Sequence, residues 1–530
     1  MGKALTLIVA PLGSVKYLRP ATYLAQDRRG RFSCRVESKG KVPSAAVTYV
    51  YLRRMFPDAV VRVLGLVPES LIAELGMASG PYWKAVDELL SLQRRHIEEG
   101  VESSSDSCGL LGDFIKEDNL ELRAVPLRGT FRLSGGGSMR IDVSPYDSQA
   151  MAAYHISRKL LELRAADYDA VYVVSDVTNA PNQLQVMTVR AVQGAASALS
   201  LAVPVTLGFS ALDPYVDDRT ELTLSVTFQR QLPSIRLPTR RTSRLLSPRR
   251  CAPRDVVRAL VGLHGKPIRA AISSLTAAAA SINVGALFLM PYFLEDALEK
   301  LEGLGRGPSS STCYSAAALD AGQLQRAILD LASTFVEEYF TLTKVTQGGD
   351  SVEVTRYADF NEDFETMLYL ALAGGTTIKP EGGCLNLNEL AREADNYSRR
   401  GLGITITTEI EHDNIVNAIN SSKDEVKGRL ASDGVCLYEL KGHTSSSVNN
   451  EYTARNLVAH AGILENAVKI KVRGDGSPMA CLSGDCGDCR IPCGKLMEII
   501  KRSLFKVVNL DKAHRSPPGE ASRGRLSLDM

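Results

Sequence analysis

Two periodicities of apolar residues alternate along the first 235 residues. Continuous apolar runs of buried-strand type recur at Leu5 to Val9, Ala59 to Val67, Leu120 to Pro126 and Ala170 to Val174, and another begins at Val203 to Leu207. Between them, Arg19 to Ala25, Pro81 to Glu99, Ser144 to Ala165 and Gln183 to Ala202 read as helices. The third carries Met151, Tyr154, Ile156, Leu160 and Leu161 at helical spacing, behind a Ser144-Pro145 start. Strand alternating with helix predicts a doubly wound α/β sheet with right-handed crossovers.

Ligands of such sheets bind beyond the carboxyl ends of the strands. Two polar loops fall there, Pro11 to Ser14 and Asp176 to Asn182. No Gly-x-Gly-x-x-Gly follows the first strand and no Walker lysine loop occurs, which argues against a dinucleotide oxidoreductase or a P-loop enzyme. The short polar side chains of the second loop suit ribose hydroxyls, phosphates or base edges. Asp176, Thr178 and Asn179 are equally the residue types that cap a following helix.

The alternation ends in an Arg- and Pro-rich stretch. Arg230, Arg236, Arg240, Arg241, Arg244, Arg249, Arg250 and Arg254 mark a basic linker, read as a solvated connector. Beyond it the pattern is mostly helical: Asp255 to Glu302, Ala318 to Leu342, Asn361 to Ala373, Leu387 to Arg399 and Glu409 to Ser422, with a Gly/Ser-rich break from Gly303 to Ser311. The stretch from Ser274 to Leu294 has the length of a membrane span, but its alanines and the interruptions at Ser281, Asn283 and Pro291 predict a buried helix pair. The start at Met1-Gly2-Lys3 lacks signal-peptide features, so a cytoplasmic protein with no membrane partner is expected. The chain divides at this level into residues 1–235, 236–345 and 346–530. A net charge of +2 confines any nucleic-acid contact to local patches.

Candidate chemistry concentrates near the C-terminus. Asn449 to Gly462 reads as a short helix, with Asn449 or Asn450 as cap, Glu451 at the positive end and Gly462 as stop. Leu457, Val458 and Ala461 form its apolar face; Arg455, Asn456 and His460 are polar groups a plain core helix does not require. Asn456 and His460 share a face, whereas Arg455 lies about 140° round from His460. A second copy of the helix opposite the first would gather two Arg and two His in one cleft. Arginine grips phosphate oxygens and histidine moves protons near neutral pH, a pairing suited to phosphodiester chemistry. With RNA the substrate's own 2′-hydroxyl serves as nucleophile and no catalytic metal is needed.

Past the strand Ala467 to Val472 come Cys481, Cys486, Cys489 and Cys493, four of the ten cysteines. Structural zinc, an iron–sulfur site and disulfides remain open, with a structural staple of a surface hairpin favoured over a redox role. Cys34, Cys108, Cys251, Cys313, Cys384 and Cys436 show no motif.

Together these parts resemble the CRISPR-associated CARF–HEPN ribonucleases of type III systems, and within them the archaeal single-nuclease branch. Arg455-Asn456-Leu457-Val458-Ala459-His460-Ala461-Gly462 is similar to the HEPN Arg-Asn-x-x-Ala-His-x-Gly signature. Ala10-Pro11-Leu12-Gly13 with Ala21-Thr22-Tyr23 resembles the first strand-loop-helix of the family. Asp176-Val177-Thr178-Asn179-Ala180-Pro181-Asn182 resembles its ligand loop, with Ala180-Pro181 replacing the usual Gly-x. The resemblance implies an N-terminal Rossmann-like CARF domain, a helical middle segment and a C-terminal helical HEPN domain, here with a Cys-rich hairpin insertion. It implies a homodimer or higher oligomer that binds a cyclic oligoadenylate, the tetra-adenylate, through Gly13, Ser14, Lys16, Thr22, Asp176, Thr178, Asn179 and Asn182. Single-stranded RNA would be cut by Arg455, Asn456 and His460, leaving 2′,3′-cyclic phosphate and 5′-hydroxyl ends. The competing expectation is a CARF-type DNA-binding transcriptional regulator without nuclease activity. That requires a helix-turn-helix with a basic recognition helix, which the alanine-rich stretch from Asp255 to Glu302 does not resemble.

Overall fold

The computed structural model describes residues 2–26, 33–75, 82–178, 180–212, 221–229, 237, 244–303, 321–374, 381–399, 406–443, 454–486 and 493–515. Two compact units emerge. Met1–Arg236, Arg244–Lys266 and Ala321–Thr376 form the first; Leu237–Ser243, Pro267–Asp320 and Thr377–Met530 form the second. These units do not coincide with divisions at 235 and 345, because residues 321–376 fold with the first unit.

In chain order the first unit contains β1 (Ala4–Pro11), β2 (Ala21–Gln26), β3 (Ser33–Ser38), α1 (Ser44–Met55), β4 (Val60–Pro68), α2 (Tyr82–Glu102), β5 (Ser105–Asp106), α3 (Leu111–Phe114) and β6 (Leu120–Val125). It continues with β7 (Gly129–Arg132), β8 (Ser138–Asp142), α4 (Pro145–Glu162), β9 (Ala170–Asp176), α5 (Asn182–Leu199), β10 (Val205–Leu212), β11 (Glu221–Gln229), β12 (Leu246–Pro248) and α6 (Arg254–Leu263). After α7 (Lys266–Val284) and α8 (Met290–Leu301), the chain returns with α9 (Ala321–Thr341), β13 (Thr343–Gly348), β14 (Ser351–Arg356), β15 (Ala358–Phe360) and α10 (Glu362–Ala373).

The main sheet runs β5-β3-β2-β11-β10-β9-β1-β4-β6. Its β10-β9-β1-β4-β6 portion is parallel throughout, the doubly wound core expected from the alternation. Both faces of β1 are covered. Ile8 and Ala10 enter a core with Val61, Val63, Val174 and Tyr49, while the alternate residues Leu5, Leu7 and Val9 are equally buried. With no face left for polar residues, the strand reads as an unbroken apolar run. The helix expected over Arg19 to Ala25 is instead β2, paired with β11 and β3. Ala21, Tyr23 and Ala25 are buried while Thr22 and Leu24 are half-buried, a period of two that tertiary pairing enforces.

A second sheet, β13-β14-β8-β7, joins strands from distant parts of the chain. Its β13 and β14 are strands that the mostly helical reading of residues beyond the linker did not place, although helices still dominate there. The linker is corrected where it is described. Leu246–Pro248 pairs with β15, and Arg249, only 19% exposed, bridges Asp142 at 3.2 Å and Asp359 at 3.3 Å. Arg230, Arg236, Arg240 and Arg241 lie outside the described residues.

In the second unit follow β16 (Cys384–Asn386), α11 (Leu387–Arg399), α12 (Ile406–Ser421), α13 (Asp424–Ala431), β17 (Val435–Cys436), α14 (Leu437–Leu440), α15 (Ala454–Ala459), β18 (Val468–Val472), β19 (Pro478–Leu482) and α16 (Cys493–Arg515). The span-like stretch breaks at Gly285, whose φ is +74°, into α7 and α8. Residues of both helices are largely buried, and no helix among the described residues is long and apolar enough to cross a membrane.

The strands order as β16-β19-β18-β17, and every residue of β19 is buried, so Cys481 sits on a central, buried strand. Its cysteines do not form one four-membered site. Cys481 is bonded to Cys384 and Cys486 to Cys436, joining partners 97 and 50 residues apart. Cys34 and Cys108 form a third disulfide in the first unit. Cys489 and the Cys493 side chain lie outside the described positions, and among the described residues no cluster of three His, Cys, Asp or Glu is arranged to hold a metal. Loops of this length make each bond worth about 4–5 kcal/mol in the chain-entropy account. Complete reduction should therefore lower the urea midpoint of the second unit; an unchanged midpoint with all thiols titratable would exclude the pairing.

Candidate functional site

Chain order and sheet order reverse direction between β1 and β9: β4 and β6 extend one way, and β9 and β10 the other. The loops after β1 and β9 therefore flank the crevice where doubly wound sheets take ligands. The fold thus brings together the two polar loops identified from sequence.

Their side chains are partly committed to the fold. Asp176 is 1% exposed. Its Oδ1 accepts from Ser44 Oγ at 3.1 Å and from the Thr178 backbone N–H at 2.9 Å, and Thr48 Oγ1 lies 3.3 Å from Oδ2. Thr178 Oγ1 accepts the Leu212 N–H at 3.0 Å, tying the loop to β10. Both residues thus shape the loop. Asn182 opens α5 with an exposed side chain, whereas Asn179 lies outside the described residues. In the first loop Gly13 is half-buried; Ser14 Oγ and Lys16 Nζ both meet Glu74 Oε2, at 2.9 and 3.1 Å. An anionic ligand reaching this loop would compete with Glu74. Thr22 stands at the same sheet edge on β2, four strands from β1 and so roughly 19 Å away.

Burial, which outweighs its donors, pushes the Asp176 carboxyl up to about 6. The folded carboxyl holds its proton to higher pH than the unfolded one. Asp176 therefore subtracts stability progressively as pH rises from about 4 to about 6, and by a constant amount above that. Asp176→Asn should match the parent near pH 4 and exceed it by about 3 kcal/mol at pH 7. Urea unfolding at both pH values measures this, and a difference that does not grow with pH would contradict it.

The second unit holds the C-terminal polar helix. α15 spans Ala454–Ala459; the expected cap, Asn449 or Asn450, and Glu451 at the positive end lie outside the described residues. The helix stops as predicted. Ala461 and Gly462 both take positive φ, +51° and +83°, and Gly462 N–H donates to Leu457 O at 2.8 Å. A Cβ on Gly462 would meet Leu289 Cγ at 2.8 Å, so glycine is required here for space as well as backbone geometry. Leu457 and Ala461 are fully buried, Val458 half-buried, and Phe288 N–H donates to Ala461 O at 3.4 Å. The helix end is thereby fixed against the segment between α7 and α8.

Asn456 and His460 lie one turn apart, as the spacing predicts, with His460 N–H donating to Asn456 O at 3.1 Å. The backbone of Arg455 belongs to α15; its side chain is outside the described positions. The His460 side chain is 35% exposed and rests on a residue sequence reasoning missed. Its Nδ1 is 3.1 Å from Oε2 of Glu411, a carboxylate on α12 only 4% exposed. The other Glu411 oxygen accepts from Lys441 Nζ at 2.6 Å. Lys441 also pairs with Glu465 at 3.1 Å, and Glu465 meets His443 Nδ1 at 3.0 Å. Burial acts to raise the Glu411 carboxyl, but the bonds from His460 and Lys441 outweigh it and hold it below the usual carboxylate range. For Lys441, burial is likewise outweighed by Glu411 and Glu465, and its ammonium is stabilised. Glu411 is therefore an ionised acceptor, and a neutral His460 facing it carries its proton on Nδ1 and leaves Nε2 available. No sequence motif marked Glu411: it is one acid among several on α12, placed opposite His460 by tertiary structure.

Residues 7–214 match the family model described as CRISPR system endoribonuclease Csx1, CARF domain, a range that runs from within β1 through β10 and includes both strand-end loops. No curated protein matches the chain.

Proposed function

We propose, for a chain that carries a CRISPR-type CARF domain, that it is an endoribonuclease switched on by a cyclic oligoadenylate. The first unit would take the ring, the tetra-adenylate, at the strand-end loops after β1 and β9, with a second copy of the chain completing the site. The second unit would carry a HEPN-type centre in which His460, Asn456 and Arg455 cut single-stranded RNA. The observation that supports this reading best is the His460–Glu411 contact, since a solvent-facing imidazole fixed at one nitrogen by a buried carboxylate is an arrangement for proton transfer.

In the proposed reaction the RNA 2′-oxygen attacks the adjacent phosphorus and the bond from phosphorus to the 5′-oxygen breaks. The 2′-hydroxyl proton leaves to a base and the 5′-oxygen gains one, so the products are a 2′,3′-cyclic phosphate and a 5′-hydroxyl. His460 Nε2 handles one of these protons. Arg455 holds the phosphate oxygens as charge builds, and Asn456 orients them. His460 supplies one proton transfer, water carries the other proton, and Arg455 offsets the charge, so the proposed reaction calls for no metal.

The test is to incubate the protein with labelled single-stranded RNA and chelator, with and without cyclic tetra-adenylate. Stimulated cleavage leaving 2′,3′-cyclic phosphate ends is expected. Cleavage indifferent to the ligand would remove the sensor reading, and no cleavage under any condition would remove the ribonuclease reading. Loss of activity in chelator alone would overturn only the metal-free chemistry.

A further inference from the structure

We infer that Glu411 is a positioning residue for His460, and that Lys441 clamps it in that role. The inference rests on the ribonuclease reading above. A carboxylate that is 4% exposed would be costly without partners, and Glu411 has one on each oxygen. Lys441 Nζ at 2.6 Å fixes Oε1, which leaves Oε2 aimed at His460 Nδ1, 3.1 Å away.

The clamp is itself held. Lys441 follows α14, and its backbone N–H donates to Leu437 O at 3.0 Å. Its second carboxylate partner, Glu465, stands five residues beyond His460, where Tyr438 N–H donates to Glu465 O at 3.3 Å. The segment carrying the clamp and the segment leaving α15 are thus joined by backbone, by the Lys441–Glu465 charge pair and by the His443–Glu465 contact. Glu411 comes from a third element, α12. Rotation of the imidazole would break the bond to Glu411 and leave one oxygen of a buried charge without that donor. One tautomer and one ring orientation are therefore favoured, with the proton on Nδ1 and Nε2 unprotonated.

The experiment pairs kinetics with a direct view of the ring. Glu411→Gln keeps the shape but replaces the obligate acceptor with an amide that can also donate to Nδ1, which would invert the tautomer. The expected result is a fall in kcat of at least about tenfold with little change in the KM for RNA, since the residue touches no substrate. In 15N-histidine spectra, with the His460 signal assigned by its loss in His460→Ala, the parent should show the proton on Nδ1. Glu411→Gln should show it moved or mixed. Lys441→Met, which leaves the His460 bond in place, should shift both readouts in the same direction by less.

A Glu411→Gln protein with parental kcat, or a His460 ring protonated on Nδ1 in both proteins, would overturn the inference. If the parent spectra show the Nδ1 proton but the parent cuts no RNA with the activator present, the ribonuclease reading has failed. The positioning role then falls with it, although the tautomer assignment itself stands.

Discussion

Replacing His460 with alanine should lower ligand-stimulated RNA cleavage by about 10²–10⁴-fold, the usual contribution of a positioned acid or base. The fold should survive. His460 is one-third exposed, and Glu411 keeps its bond to Lys441 when the imidazole is gone. The cost should stay near the roughly 1.5–3 kcal/mol of one lost hydrogen bond to a charged group. Melting curves and tetra-adenylate binding, measured beside the cleavage assay, separate lost chemistry from lost structure. An alanine variant that cuts as fast as the parent would refute the proposed chemistry.

The second large effect lies in the first unit. Arg356, at the end of β14, is fully buried with its Nη2 2.7 Å from Oε2 of an equally buried Glu69. Tyr82 hydroxyl donates to the same oxygen at 2.7 Å, and the rings of Tyr82, Tyr339 and Phe340 each lie 4.9 Å from the guanidinium. Arg356→Met leaves the Glu69 charge buried without its cation, a loss of about 3–5 kcal/mol. A fall in melting temperature of roughly 10 °C should follow. Removing both charges with Glu69→Leu and Arg356→Met should recover most of this, because the desolvation cost disappears with the pair. A double variant no more stable than the single would show that packing around the rings, not charge, dominates the site.

The parallel core was legible because strands buried on both faces can hardly be written in other residues. The two candidate loops were located by the rule that such sheets take ligands beyond the carboxyl ends of their strands. β2 was misread because a helix usually follows the first strand of such a sheet; the alternation of Ala21, Tyr23 and Ala25 was present, but its partners β11 and β3 were not apparent. The β13–β14 hairpin carried ordinary signals, Val345, Val352 and Val354 alternating about Gly348-Gly349-Asp350, and its parallel pairing to β8 joins residues some two hundred positions apart. The HEPN-like motif exposed Asn456 and His460, whereas Glu411 and Lys441 could not be found from spacing. Their roles arise only where α12, the turn after α14 and α15 meet. The cysteine pairs were hidden for the same reason, since density in sequence drew attention to Cys481 through Cys493 while the bonding partners stood far upstream.

The bond between Cys436 and Cys486 encloses residues 437–485 in a covalent ring. Lys441, α15 with His460, and Glu465 all lie within it. One peptide cut anywhere inside the ring would leave both fragments attached, so a nicked chain would run as a single species until reduced. The candidate centre can thus be severed in sequence and still be held as one piece.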